Sequence, residues 1–323
     1  MDRVVKNIGV LEHREAAPGT TAADLCIAAA EPLLERLGWE RSTVDGIIFI
    51  TQSPDFFLPG TAHRIQTALK LSDKTFCFDV NLGCSGFSHG LLIAKGMFAG
   101  GLMKRALLLC GEVTTDTIRP SVKNLVHHHD LGNALLFGDA GTATALEASD
   151  GESILGAMWG ADGSGMHLIS VPGGAFRCFW SPEILNPVAD EQGVMRRPLD
   201  LRINGAAIFN FTIRRVPGLC EEALRRAGWK QDDLDAMVFH QANKFILDFL
   251  RKKMGVAEEK VPFSIEEYGN TSSASIPLTM ITRMADRLKQ RTRTLSVGFG
   301  SGLSWSAVAM ETENVAVVPL IEV

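Results

Sequence analysis

Leu33 to Phe49 reads LLERLGWERSTVDGIIF, and Ala223 to Phe239 reads ALRRAGWKQDDLDAMVF. The two stretches align without a gap. Leu34, Arg36, Gly38, Trp39, Asp45 and Phe49 recur as Leu224, Arg226, Gly228, Trp229, Asp235 and Phe239. In each copy an amphipathic helix runs up to a glycine able to take the left-handed cap. A polar turn follows, then a short apolar, β-branched run of the kind a buried strand uses. A weaker echo lies at nearly the same offset: Lys104–Glu112 (KRALLLCGE) against Thr292–Gly300 (TRTLSVGFG). Two echoes at one spacing predict a duplicated α/β chain. Each half is expected to be a βα-alternating layer with a mostly parallel sheet between helices. The polar stretch Glu147–Gly151 (EASDG) marks the junction, giving halves of residues 1–155 and 156–323. No Pro- or Ser-rich linker separates them, so they are expected to be tightly joined.

The bulk properties exclude several classes. Hydrophobic residues make up 46% and charged residues 21%, the balance of a soluble globular protein. A net charge of −5 supplies no basic field for nucleic acid or anionic lipid. The first residues, MDRVVKNIGVLEH, contain no long apolar signal region, and apolar runs such as Ala106–Cys110 are too short to span a bilayer. The six cysteines (Cys26, Cys77, Cys84, Cys110, Cys178 and Cys220) form no CxxC pair. That spacing argues against a metal knuckle or disulfide framework and for a reducing, cytoplasmic setting. The ordinary role of any one such thiol is that of a small buried hydrophobe.

Cys84 has a more specific context. Thr75–Val80 (TFCFDV) alternates as a strand does, and His89–Phe98 reads as an apolar helix. Between them lies Asn81-Leu82-Gly83-Cys84-Ser85-Gly86-Phe87, a strand-to-helix turn flanked by small residues. Gly83 and Gly86 allow a sharp turn and a close approach by substrate. The helix amino terminus puts N–H groups and a positive dipole end beside the sulfur, which favours thiolate. This is the layout of a nucleophile elbow with Cys in place of Ser. The alternative is a structural Cys in a tight turn.

Two polar groups are candidate partners. The strand Ala236–Phe239 runs into His240-Gln241-Ala242-Asn243, at the end of the sheet where open α/β folds bind ligands. A core histidine with its hydrogen bonds met is the other reading. Asn270 lies in Tyr268–Ser275 (YGNTSSAS), just before the helical pattern Ile276–Leu288. Taken alone this is a turn and an N-cap. Val297–Trp305 (VGFGSGLSW) is a glycine-rich turn between apolar strands. It lacks the Lys and following helix of a phosphate loop, so its use is close backbone approach and N–H donation.

Together these stretches, in this order and approximate spacing, resemble β-ketoacyl-acyl-carrier-protein synthase III and its relatives, from about Ile8 to Met310. Phe137-Gly138-Asp139-Ala140-Gly141 is similar to the family's FGDGAG. The resemblance implies a duplicated five-layer α-β-α-β-α thiolase-like sandwich, a homodimer, and an acyltransferase with Cys84, His240 and Asn270 as its catalytic centre. It implies that Cys84 attacks an acyl thioester. His240 and Asn270 would bind the thioester oxygen of malonyl-carrier protein, and loss of CO2 would give the enolate that attacks the acyl-cysteine. The amides of Cys84 and Ser301 would form the oxyanion hole. Leu58, Phe87, Ile203, Asn243, Phe245 and Phe299 would contact substrate, Phe299 shielding the site from water. No cofactor is implied beyond the phosphopantetheine that carries the substrate on acyl-carrier protein or coenzyme A.

The departures from the family bear on substrate. The region before Ile8 is short, and the Trp that stacks on the adenine of coenzyme A has no equivalent; the partner Arg aligns with Leu131. The acyl donor is therefore not expected to bind as coenzyme A in the standard way, and a carrier protein is the other source that stays open beside coenzyme A. The Arg that helps dock the carrier aligns with Phe245, leaving Lys244, Arg251, Lys252 and Lys253 as a basic docking patch or a solvated helix face. Leu58 stands at the aromatic gate contributed by the partner of the dimer, and a smaller gate suits a longer or bulkier acyl chain in specialised lipid metabolism. Ser301 stands where Gly is common, so strain is expected there if φ is positive. Gly173–Leu201 is long and holds Phe176, Phe179 and Trp180, a lid or dimer contact. His127-His128-His129 has no ligand-spaced partner and is not expected to bind metal. Two alternatives stand beside decarboxylative condensation: acyl transfer to an oxygen or nitrogen nucleophile, and a non-catalytic subunit of a heterodimeric synthase. A non-decarboxylating thiolase fits less well, because its second cysteine is absent from GFGSG.

Overall fold

The computed structural model describes residues 8–115, 128–189, 193 and 195–323. The first half contributes α1 (Ala22–Leu37), β1 (Gly46–Ile50), α2 (Thr61–Ala68), β2 (Phe76–Val80), α3 (Gly86–Ala99), β3 (Arg105–Glu112), α4 (His128–Leu136) and β4 (Ala140–Glu147). The second contributes β5 (Ile154–Ala161), four two-residue strands β6–β9 between Ile169 and Ile203, and α5 (Gly205–Ala227). It continues with β10 (Ala236–Phe239), α6 (Lys244–Met254), α7 (Ile265–Tyr268), α8 (Ser275–Leu288), β11 (Thr292–Gly300) and β12 (Ser304–Thr312).

The two main sheets have the orders β2-β1-β3-β4 and β10-β11-β12-β5. Their burial follows the period of two expected of strands. Ile47, Phe49, Leu107 and Leu109 face outward onto α1 and α2. Their neighbours Ile48, Ile50, Leu108 and Cys110 face inward onto α3 and α8, which also pack against Ala236, Val238 and Val308 of the second sheet. The far face of that sheet, with Met237, Phe239, Leu295 and Val297, is covered by α5 and α6. Five layers result, in the order α-β-α-β-α, and the helices α3 and α8 form the shared middle layer.

The recurrent residues have matching roles in the two halves. Gly38 and Gly228 take the left-handed cap at φ 62° and 71°. The following amides, Trp39 N and Trp229 N, reach back to the carbonyls of Leu34 and Leu224 at 3.1 and 3.0 Å. The Asp45 carboxylate accepts from the amides of Lys104 and Arg105, and that of Asp235 from the amide of Arg293. The same two arginines, Arg105 and Arg293, lie over the indoles of Trp39 and Trp229, at 4.9 and 5.1 Å. The long echo and the short one are therefore two sides of one contact. A Cβ on Gly38 or Gly228 would meet nothing within 4 Å. Gly38→Ala and Gly228→Ala should each lower unfolding stability by about 1 kcal/mol through backbone conformation alone, read by urea titration.

The expectation of two mostly parallel sheets holds for one. In the first sheet β1 pairs in parallel with β2 and β3, and β4 is antiparallel. In the second only β10 and β11 are parallel. The glycine-rich turn explains this: three residues between β11 and β12 join strands as a hairpin, which is necessarily antiparallel.

Two further features place the site. The carboxyl ends of β1, β2, β3, β10 and β11 meet where α3 and α8 begin. A cavity of about 710 Å³ lies away from that meeting point, along β4 between α1, α8 and Glu313–Val323.

Candidate active site

Cys84 sits in the turn between β2 and α3, beneath the β11–β12 hairpin. A Cβ on Gly300 would fall 2.7 Å from the Cys84 sulfur, and one on Gly83 would fall 2.2 Å from Gln52 Oε1. Both glycines are there because neighbouring chain comes too close for a side chain. The Ser272 hydroxyl and the backbone N–H groups of Ser301 and Cys84 reach the sulfur. Burial nevertheless pushes the thiol up to about 11; the Glu112 charge adds to that effect, and the three hydrogen-bond donors oppose it. The expectation that the helix end favours thiolate is thus corrected. Desolvation of the charged form outweighs the dipole, and the resting group at neutral pH is a thiol.

His240 is buried, and its backbone N–H extends the β10–β11 pairing to Val297 O at 2.8 Å. Nδ1 lies 2.8 Å from Ser275 Oγ. Ser275 Oγ donates its single proton to Ser272 O at 2.8 Å. It must therefore accept from Nδ1–H, and this network assigns the lone pair to Nε2. Burial pulls the imidazole down to about 3, opposed by the Ser272 backbone. It is neutral across the physiological range. The Phe299 ring packs edge-on to it at 5.7 Å.

Asn270 is held by its backbone. Its N–H donates to Leu136 O at 2.8 Å, and its carbonyl accepts from Gly138 N at 3.2 Å. Asp139 secures this segment by accepting from Ala16 N and Thr114 N at 2.9 and 2.8 Å. The FGDAG stretch thus acts as the clamp on Asn270. The side-chain oxygen accepts from Ser272 N at 2.9 Å, and Nδ2 makes a long contact of 3.4 Å to Ala242 O. With one N–H so engaged, the other remains for a ligand.

Ser272 joins the three residues. Its hydroxyl meets Cys84, its amide meets Asn270, and its carbonyl reaches His240 through Ser275. It does so with φ at +48°, a left-handed conformation rare for a residue with a side chain. The strain expected at Ser301 is not found, since Ser301 is not among the positive-φ residues. The motif YGNTSSAS singled out Asn270 alone, and Ser272 and Ser275 were missed within it. Gln52 and Glu112 were missed too. The signal that marks His240, a polar residue ending an apolar strand, also marks Thr51-Gln52 after β1 and Glu112 at the end of β3.

Residues 78–163 match the family model described as 3-oxoacyl-[acyl-carrier-protein (ACP)] synthase III, and residues 224–312 match its C-terminal model. The chain belongs to the synthase III family. It is 33% identical over 304 residues to the β-ketoacyl-[acyl-carrier-protein] synthase III of Symbiobacterium thermophilum, covering 94% of this chain and 87% of that protein. Against synthase III 2 of Deinococcus radiodurans it is 34% identical over 312 residues, covering 96% and 86%. Among solved structures, 3-oxoacyl-(acyl-carrier protein) synthase from Burkholderia xenovorans LB400 is 41% identical with a TM-score of 0.91, covering 100% of this chain and 88% of that one. The chain is accordingly an acyltransferase of the synthase III type.

The remaining candidates of this synthase III chain are less close to the sulfur. Phe87 packs in the core with Ile50 and Leu91. Asn243 caps α6, accepting from Ile246 N at 2.8 Å. Ile203 is half-buried and pairs with Ile169 in a short ribbon. Leu58 is 80% exposed. Phe245 is exposed and lies against Phe209, with ring centroids 5.4 Å apart. The basic set is largely engaged within the chain. Lys244 pairs with Glu266 at 2.5 Å, Arg251 with Glu258 at 3.1 Å, and Lys253 donates to Ile213 O at 2.8 Å. Of the four, Lys252 is left facing solvent without such a bond among the described residues. His127 and the side chains of His128, His129 and Leu131 lie outside the described residues; among the described ones no group of His, Cys, Asp or Glu could hold a metal. No described helix is long and apolar enough to cross a membrane.

Proposed function

We propose that Cys84 takes an acyl group from a thioester and that an enolate, made by decarboxylating malonyl-acyl-carrier protein, then attacks the acyl-cysteine. The observation that carries this reading is the connection of a half-buried thiol, a neutral imidazole and a carboxamide through Ser272. As Cys84 attacks, its proton passes to Nε2 of His240, and the N–H groups of Cys84 and Ser301 hold the oxyanion. The donor's thiolate leaves with that proton, which Nε2 passes on to it. As negative charge gathers on the second substrate, Nε2 takes up a proton from solvent and His240 acts as a donor beside Asn270 Nδ2–H. The malonyl C–C bond breaks, CO2 leaves, and negative charge gathers on the thioester oxygen between these two donors. The enolate carbon forms the new C–C bond, the Cys84–acyl bond breaks, and the sulfur recovers its proton from His240. This chemistry uses no cofactor beyond the phosphopantetheine thiol of the substrates.

A carrier-protein donor and a specialised acyl chain fit the substitutions of Leu131 and Leu58 in positions where the family has Arg and an aromatic gate. A second copy of the chain is the natural cover for the exposed apolar patch of Phe57, Leu58, Phe176 and Phe179, whose rings Phe57, Phe176 and Phe179 lie 6.0 and 5.8 Å apart in succession. Patches of this kind mark protein contacts; sedimentation should show a dimer that Phe176→Asp weakens. The six free cysteines suit the cytoplasm.

The test is carbon bookkeeping in a single turnover. With an acyl donor and malonyl-carrier protein, one CO2 should appear for each β-ketoacyl-carrier product. Product formed without CO2, as an ester or amide, would replace condensation by simple acyl transfer.

A further inference from the structure

Glu112 ends β3 with its side chain 2% exposed, deep beside the nucleophile. The reaction described above does not use it. Its carboxyl accepts from Gln52 N at 3.0 and 3.2 Å, from Ser53 Oγ at 3.0 Å, and more distantly from Thr51 Oγ1 and Ser272 Oγ, both at 3.4 Å. These partners are all neutral. The titratable groups facing it are the thiols of Cys26 on α1, Cys84 in the elbow and Cys110 on β3. Two of the partners lead directly to the site. Ser272 Oγ lies against the elbow, 2.9 Å from where a Cβ on Gly83 would stand beside Cys84, and its hydroxyl pulls the Cys84 thiol down. Gln52 Oε1 accepts from Ser301 Oγ at 3.0 Å, on the hairpin that supplies the second oxyanion donor.

The Ser272 hydroxyl has one proton and two neighbours that compete for it. If Glu112 is a carboxylate, Ser272 donates to it, and the serine lone pair faces Cys84 S–H, which holds the sulfur as a thiol. If Glu112 carries a proton, the carboxyl donates to Ser272 Oγ, and Ser272 turns its own proton to the sulfur, which favours thiolate. We propose that Glu112 is a positioning residue that sets the direction of the Ser272 hydroxyl and thereby how readily the Cys84 thiol ionises. Burial pushes Glu112 up to about 7, against the pull of the Gln52 amide and the Ser53, Ser273 and Ser272 hydroxyls. Both arrangements are therefore populated near neutrality. Protonation of Glu112 readies the nucleophile and its ionisation quiets it.

The inference rests on Cys84 being the nucleophile, but its test needs no acyl substrate. The rate of iodoacetamide alkylation at Cys84 is followed against pH by the mass of the peptide that contains it. Glu112→Gln keeps the shape and fixes the donor arrangement, since its amide oxygen can accept from Gln52 N while its NH2 donates to Ser272. Above the Glu112 midpoint of about 7, where the unaltered protein loses the donor arrangement, the ionisation of Cys84 should fall by about one pH unit, a tenfold gain in thiolate below the thiol's own midpoint. Loss of intrinsic nucleophilicity reduces this to an increase of about threefold in rate at pH 8. In a Ser272→Gly background, which relaxes the positive φ, Glu112→Gln should have no such effect. A Glu112→Gln profile that overlays the unaltered protein's overturns the proposal. So does an equal shift with and without the Ser272 hydroxyl, which would mean that charge alone acts through space. Should Glu112→Gln not fold, as read by its thermal transition, Ser272→Gly alone decides: the inflection near pH 7 disappears if the relay operates and persists if it does not. Failure of acyl labelling with a normal alkylation relay would refute the reaction and leave this inference standing.

Discussion

Cys84→Ala should lower condensation by at least about 10⁴-fold, the scale on which covalent catalysis collapses when its nucleophile is removed. The loss has a specific form. In the proposed reaction the sulfur forms the bond to the acyl group and contributes nothing to the charge on the malonyl thioester oxygen. Asn270 Nδ2–H remains in place, held through Ser272 N at 2.9 Å and Leu136 O at 2.8 Å. The variant should therefore still release CO2 from malonyl-carrier protein while making no β-ketoacyl product. A radiolabelled malonyl carboxyl measures the first, and product analysis by mass the second. Cys84 lies half-buried against Gly300, so the smaller alanine introduces no clash. The folded protein is expected to survive the change.

His240→Ala and Asn270→Ala should differ from each other. Loss of one donor to a developing oxyanion costs about 10²- to 10³-fold. In the proposed reaction Asn270 enters only in the second half-reaction, so Asn270→Ala should acylate at a near-normal rate and condense slowly. His240 enters in both, because Nε2 takes the thiol proton before it acts as a donor. His240→Ala should slow acylation and condensation together. The pH profile shows the sign. In the intact site Cys84 is a thiol up to about 11 and His240 is neutral down to about 3, so the imidazole removes the proton as the bond forms. Without it, reaction depends on preformed thiolate. Acylation of His240→Ala should then climb about tenfold per pH unit below the thiol's midpoint, a slope the unaltered enzyme does not share. Rapid-quench acylation from pH 6 to 10 separates the two.

Much of the fold was legible because its determinants are local and occur twice. Gly38 and Gly228 recur as left-handed caps, Trp39 and Trp229 as platforms for an arginine, and Asp45 and Asp235 as strand-end acceptors. The antiparallel character of the second sheet was harder to read, although the short turn at Ser301 held the information. Of the candidate site, Cys84, His240 and Asn270 stand out from the polar residues that interrupt apolar strands and from the motifs around them. The state of the sulfur does not. A local reading sees the helix end beside Cys84, whereas the desolvation that prevails comes with Ser272 and the Gly298–Gly300 end of β11, distant in sequence, lying against it. Ser272 and Glu112 were invisible for the same reason. A serine in a Ser-rich turn and a glutamate at a strand end look ordinary until a contact spanning 160 residues brings them together.

The most direct measurement is the mass of the Cys84 peptide after the protein is mixed with an acyl thioester and no second substrate, then quenched in acid. One acyl group on Cys84, removed when malonyl-carrier protein is added and accompanied by CO2, is the predicted result. A protein that turns over with that peptide unmodified at every time point, or that places the acyl group on another residue, would contradict the account.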